Sequence, residues 1–119
     1  MDKYDSKAAA RIDQTYQAPE IVNQRLRTLA ALGLRQGESV LDVGCGTGLL
    51  LEQEALAVGA SGRAEGVDTS DDMLALAQAR CQDLIQVNLQ LGSADNLGFD
   101  DAGFDALSCT QVLLYVDQL

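Results

Sequence analysis

The chain has 119 residues, the length of one domain, and 47% of them are hydrophobic, a value typical of globular proteins. Its 8 Lys and Arg against 18 Asp and Glu give a net charge of −10, which argues against nucleic acid and anionic membranes as partners. The absence of His excludes catalysis by Ser-His-Asp or Cys-His groups and any His-ligated metal site.

The three cysteines are widely spaced and form no CxxC pair, so we expect neither a disulfide framework nor a bound metal. No apolar run approaches the roughly 20 residues of a membrane helix, and the N-terminus lacks the apolar core of a signal peptide. These features predict a cytoplasmic protein.

In chain order, residues 1–18 are polar without a sustained period, and we separate this N-terminal segment from a domain over 19–119. From Pro19 apolar residues recur at helical spacing, with Pro19 suited to a first helical position and Gly33 to a C-terminal cap. After a polar turn, the β-branched run 39–43 stops at a cluster of glycines, as a buried strand does.

A βαβ unit follows from the next segments. Residues 49–58 have apolar residues on one helical face and are closed by Gly59, and residues 63–68 form a second strand. The span 39–68 is 30 residues long, about the size of one βαβ unit, and such units make parallel sheets with right-handed crossovers.

The third and fourth strands complete the predicted sheet. Ser70 can cap a helix that runs on to Cys81, and residues 85–91 alternate apolar and polar side chains, which predicts an edge strand wet on one face. The remaining segments are a polar loop over 92–103, a fourth strand over 104–109 and the start of a helix over 110–119.

The run 40–48, VLDVGCGTG, is the most informative stretch. A glycine turn between a strand and a helix lets a ligand approach bare backbone and the free N–H groups of the helix; the alternative is a tight turn without a ligand. The dinucleotide fingerprint G-x-G-x-x-G/A fails because Leu49 stands at its third small position. The pattern is G-x-G-x-G instead, formed by Gly44, Gly46 and Gly48.

Three acidic residues are placed to recognise such a ligand. Asp42 ends a buried strand, where a carboxylate is costly unless a polar group such as a ligand's ammonium faces it; a solvated strand end is the alternative. Asp68 ends the second strand and can accept both hydroxyls of a ribose, or can cap the next helix. Asp95, beside Ala94, could meet an adenine edge, or be an ordinary loop acid.

Four ordered segments resemble the class I S-adenosylmethionine-dependent methyltransferases, and above all their small-molecule branch with the ubiquinone/menaquinone-biosynthesis and arsenite types. The resemblance implies a Rossmann-like three-layer α/β sandwich with a parallel sheet and S-adenosylmethionine as cofactor. The similar segments are 40–48, 66–74, 92–99 and 104–113.

Carried over by position, the resemblance assigns the cofactor's parts to particular residues. The methionine part falls to Asp42 and the backbone of Gly44, Cys45 and Gly46, within the turn that Gly48 completes. It further implies that Asp68 binds the ribose and that Thr69 and Met73 pack against the adenine ring, whose edge Ala94 and Asp95 recognise. The backbone of Cys109 would lie near the methionyl end, and Tyr16 would close over the cofactor.

Members of that family usually have seven strands, so four strands correspond to half of the sheet. The expected function is methyl transfer to a small-molecule acceptor, with this chain supplying the cofactor-binding half. The alternative is a truncated, non-catalytic or self-associating module that keeps the glycine loop and lacks the acceptor site. The fourth strand would then be an apolar edge suited to pairing in a homodimer.

Overall fold

The computed structural model of the chain describes residues 6–15, 19–93 and 103–109. Within them, a parallel sheet is combined with helices in the predicted order. The helices are α1 (Ser6–Thr15), α2 (Pro19–Leu32), α3 (Leu49–Val58) and α4 (Asp71–Arg80), and the strands are β1 (Ser39–Val43), β2 (Arg63–Asp68), β3 (Val87–Leu91) and β4 (Ala106–Ser108).

The four strands lie in the order β3-β2-β1-β4, and all three neighbouring pairs are parallel. The register sets Val40 of β1 beside Ala64 of β2 and Ala106 of β4. This arrangement confirms the Rossmann-like α/β fold and the edge position of β3. Because β1→β2 and β1→β4 step in opposite directions, the strand order reverses beside β1, a switch point of the kind where open α/β sheets bind ligands.

The core lies mainly between the sheet and helices α3 and α4, which both pack against β2. Because side chains alternate along a strand, Val40 of β1 faces this layer with Leu51 and Ala55 of α3. The opposite face carries a smaller buried cluster of Leu41, Val43 and Val67, with Phe104 and Cys109 packed against it.

Helix α1 is not predicted by the sequence, because its stretch is polar and lacks a sustained period. It packs against α4, and Ala9 is fully buried. The contact is tertiary and joins two helices that lie far apart in the chain. Helix α2 has the predicted bounds, with Gly33 at φ 58° after its last turn, although Leu26 on its predicted apolar face is half exposed.

The start of β3 differs from the sequence prediction. The strand begins at Val87 rather than at residue 85, and the predicted alternation holds from Val87 to Gln90, whereas Leu91 is exposed. Before it the pattern inverts: Ile85 is 82% exposed, whereas Gln86 is buried. The reason is that the Gln86 side chain donates a hydrogen bond of 2.8 Å to the Ala55 carbonyl of α3. The apolar side chain of Ile85 has no donor for such a bond.

None of the helices within residues 6–15, 19–93 and 103–109 is both long and apolar enough to cross a membrane. The predicted loop over 92–103 and the predicted helix over 110–119 lie largely outside the described residues.

Candidate cofactor site

The glycine turn leaves β1 with three left-handed glycines in alternation. Gly44, Gly46 and Gly48 have φ values of 74°, 58° and 89°, a region that other residues rarely adopt. A β-carbon on Gly48 would also lie 3.0 Å from that of Ala77 on α4. The sequence G-x-G-x-G is therefore required by the path of the backbone and by the close approach of α4.

The end of β2 holds the turn in place. The backbone N–H groups of Gly44 and Cys45 both donate to the Val67 carbonyl, at 2.7 and 3.0 Å. The last residue of β2, Asp68, accepts the Gly46 N–H at Oδ2 (2.8 Å) and the Ser70 N–H at Oδ1 (2.9 Å). Its half-buried carboxylate thus joins the glycine turn to the start of α4, and with two oxygens it can accept further donors from a ligand.

Helix α4 starts beside the turn and is tied to it at both ends. Ser70 caps the helix, as predicted, since its hydroxyl accepts the Met73 N–H at 3.2 Å. At the far end, Arg80 Nη1 donates to the Thr47 carbonyl at 2.6 Å, so α4 also holds the turn directly. No pattern in the sequence predicts this contact.

A buried pair of acids lies beneath the turn. Asp42 of β1 is 1% exposed and Glu54 of α3 is fully buried. The register places Ser108 of β4 next to Asp42, and its Oγ lies 3.0 Å from Asp42 Oδ1 and 2.7 Å from Glu54 Oε2. One serine hydroxyl therefore lies between two carboxyl groups.

The surroundings of both acids favour their neutral forms. Burial is the main cause that raises the pKa of Asp42 well above its ordinary value of 3.8; the charges of Glu54 and Asp68 add to the rise and the Ser108 hydrogen bond opposes it. Burial likewise raises the pKa of Glu54 from 4.5 to about 7, against the opposing effect of Ser108. The pair therefore titrates as one unit.

The remaining predicted residues differ in how far they are buried. Cys45 is buried, and burial together with the charges of Asp42 and Asp68 raises the pKa of its thiol, so the side chain stays neutral. Thr69 is exposed, whereas Met73 is buried on α4. Cys109 is half buried beside the smaller cluster. The predicted residues Tyr16, Ala94 and Asp95 lie outside the described residues.

Glu54 and Ser108 are absent from the predicted site. A signal for Glu54 exists in the helix: it lies three residues after Leu51 and four before Val58, both buried, so helical spacing alone places it on the apolar face. Ser108 carries no such signal, because its role depends on the pairing of β4 with β1.

The fold and the turn define the chain as a Rossmann-like α/β protein with a glycine-rich ligand turn at the switch point of its sheet. It belongs to the methyltransferase-domain family, whose profile matches residues 40–119. This confirms the resemblance to class I S-adenosylmethionine-dependent methyltransferases and supports S-adenosylmethionine as the cofactor.

Three known proteins show how far the similarity extends. The demethylmenaquinone methyltransferase of Staphylococcus aureus strain MRSA252 is 37% identical over 81 residues, which are 68% of this chain and 34% of that protein. A SAM-dependent methyltransferase of Aquifex aeolicus superposes with a TM-score of 0.72 at 23% identity, over 90% of this chain and 57% of that one. Phosphoethanolamine N-methyltransferase 2 of Haemonchus contortus, solved in complex with S-adenosyl-L-methionine, superposes with a TM-score of 0.74 at 26% identity. The superposition covers 89% of this chain and 26% of that one.

The chain spans between about a quarter and about a third of the length of the curated relatives that it matches.

Proposed function

We propose that this chain binds S-adenosylmethionine at the glycine turn and supplies the cofactor-binding half of an enzyme that methylates a small-molecule acceptor. The observation that carries the proposal is the position of the turn. It follows β1 at the switch point of the sheet, with the Asp68 carboxylate held against its Gly46 N–H. The Staphylococcus aureus relative, named a demethylmenaquinone methyltransferase, supports an acceptor that is not a macromolecule.

The residues present fit the cofactor. Asp68 is half buried and keeps acceptor capacity for two ribose hydroxyls after its two backbone contacts. The left-handed glycines put no side chain between the turn and the methionine part, and Asp42 would supply the negative charge for its ammonium group.

The remaining contacts complete the proposed site. Thr69 and Met73 would pack the adenine ring, and Ala94 with Asp95 would meet its edge. Cys109 backbone and Tyr16 would complete the methionyl end. The cofactor's sulfonium supplies an already activated methyl group, so this chain's task is to orient it and to exclude water.

Replacement of Asp68 by alanine tests the site. We expect Asp68→Ala to weaken S-adenosylhomocysteine binding by at least about tenfold, because two ribose hydroxyls lose a charged acceptor. Calorimetric titration of the 119-residue chain measures this, with Asp83→Ala, an exposed acid on the turn after α4, as the matched control.

Because Asp68 also accepts two backbone N–H groups, circular dichroism must show that the variant is folded at the temperature of the titration. Equal affinity of a folded Asp68→Ala variant and the unchanged chain would remove Asp68 from the cofactor site.

A further inference from the structure

The Asp42–Ser108–Glu54 cluster contains more acceptors than protons if both acids are ionised. A serine hydroxyl has one hydrogen, so it can donate to Asp42 or to Glu54 but not to both. The serine oxygen lies 3.0 Å from Asp42 Oδ1 and 2.7 Å from Glu54 Oε2, so in one of these two contacts its lone pair would face the lone pair of a buried anion with no hydrogen between them. Both contacts become hydrogen bonds as soon as one carboxyl group carries a proton.

The second oxygen of Glu54 shows why this acid readily accepts the shared proton when Asp42 gives it up. Glu54 Oε1 is buried and has no hydrogen-bond partner among the described residues. On an ionised carboxylate such an oxygen would carry negative charge without a donor, which is costly in a buried site. On a neutral acid the same oxygen is a weakly polar carbonyl and the cost is smaller.

A metal ion does not fit the cluster as well as a proton does. No group of three or more carboxylate or thiol side chains in the described part of the chain is arranged to hold a metal. The other titratable groups near Asp42 are Asp68 on β2 and Cys45 in the glycine turn, of which the first is an acid and the second a neutral thiol.

We propose that Asp42, Ser108 and Glu54 share one buried proton, and that Glu54 is a positioning residue that takes this proton when Asp42 binds a cation. The proposal rests on the proposed function, in which that cation is the cofactor's ammonium group. The transfer is balanced: Asp42 Oδ1 gives its proton to Ser108 Oγ while the Ser108 hydroxyl proton passes to Glu54 Oε2. Asp42 becomes an anion, and no proton enters or leaves the protein.

The first test needs no cofactor. Infrared difference spectra of the free chain at pH 8 detect the carbonyl stretch of a protonated carboxylic acid. We expect this signal in the unchanged chain and in Glu52→Gln, a matched charge removal on the same helix. In Glu54→Gln burial still keeps Asp42 neutral, but no second acid shares its proton, so we expect the band at a shifted frequency. Absence of the signal from the unchanged chain, or an unshifted band in folded Glu54→Gln, would overturn the shared proton.

The second test follows the proton during ligand binding. Titration with S-adenosylhomocysteine in two buffers of different ionisation enthalpy gives the number of protons exchanged with solvent. At pH 8 we expect almost none for the unchanged chain, and release of up to about one proton for Glu54→Gln, in which no second acid can take the proton that Asp42 loses. Equal proton release by both proteins would overturn the role of Glu54 as acceptor.

The two tests separate the two proposals. If the free chain shows the protonated acid and S-adenosylhomocysteine does not bind, the proposed function fails, the shared proton stands, and the role of Glu54 toward the cofactor is overturned. If the ligand binds and the protonated acid is absent, the proposed function stands and the shared proton fails.

Discussion

Replacement of Glu54 by glutamine should make the chain more stable at neutral pH and should change how its stability depends on pH. Glutamine keeps the shape of the side chain and can donate an N–H to Ser108, but it does not titrate. In the folded chain burial raises the pKa of Glu54 from 4.5 to about 7. The folded state therefore binds a proton more tightly than the unfolded state does.

This difference in pKa determines how the free energy of unfolding changes with pH. Between pH 4.5 and about pH 7 the folded chain holds the Glu54 proton and the unfolded chain releases it, so the free energy of unfolding falls as the pH rises through this window. At 1.36 kcal/mol for each pH unit, the difference between 4.5 and 7 corresponds to about 3 kcal/mol. That is a large share of the roughly 5–15 kcal/mol that stabilises a small domain.

Urea unfolding followed by circular dichroism at pH 5 and pH 8 measures the effect. We expect the unfolding free energy of Glu54→Gln, relative to the unchanged chain, to rise by about 2.5 kcal/mol between the two pH values, since part of the difference is already present at pH 5. Glu52→Gln serves as the control on the same helix and should show no such gain. If Glu54→Gln and the unchanged chain lost stability in parallel between pH 5 and pH 8, the reasoning from the buried acid would be refuted.

Three further predictions concern the turn, α4 and the sheet edge. Gly48→Ala should lower the unfolding free energy by about 1–3 kcal/mol, because φ is 89° there and Ala77 lies 3.0 Å from the new carbon; an unchanged urea midpoint would contradict this. Ser70→Ala should cost about 1 kcal/mol through the lost cap of α4, and Ser61→Ala, at an exposed turn, almost nothing; equal losses would refute the cap. Sedimentation should show self-association through the β4 edge, where Leu107 is exposed, and a monomer at high concentration would count against it.

Local sequence signals predicted those parts of the fold that depend on neighbouring residues. The glycine turn follows from left-handed backbone that only glycine adopts readily, and the cap of α4 from a serine before two acids. The position of Asp68 at a strand end follows from the length of a βαβ unit.

Contacts between distant residues were the parts that the sequence could not supply. Ala9 is buried only because α1 packs on α4, and Gln86 turns inward only because a carbonyl of α3 accepts its side chain. The same holds for the acid cluster, in which Ser108 meets partners 54 and 66 residues earlier in the chain. Periodicity indicates which face of an element is buried, but it does not say which buried polar groups meet.

Calorimetric titration of the chain with S-adenosylmethionine, S-adenosylhomocysteine and NAD shows whether the glycine turn binds the adenosyl cofactor. We predict binding of both adenosyl ligands and none of NAD, because the turn has Leu49 where a dinucleotide site needs a small residue. A folded chain that binds neither adenosyl ligand, or that binds NAD in their place, would contradict the assignment of the glycine turn as an S-adenosylmethionine site.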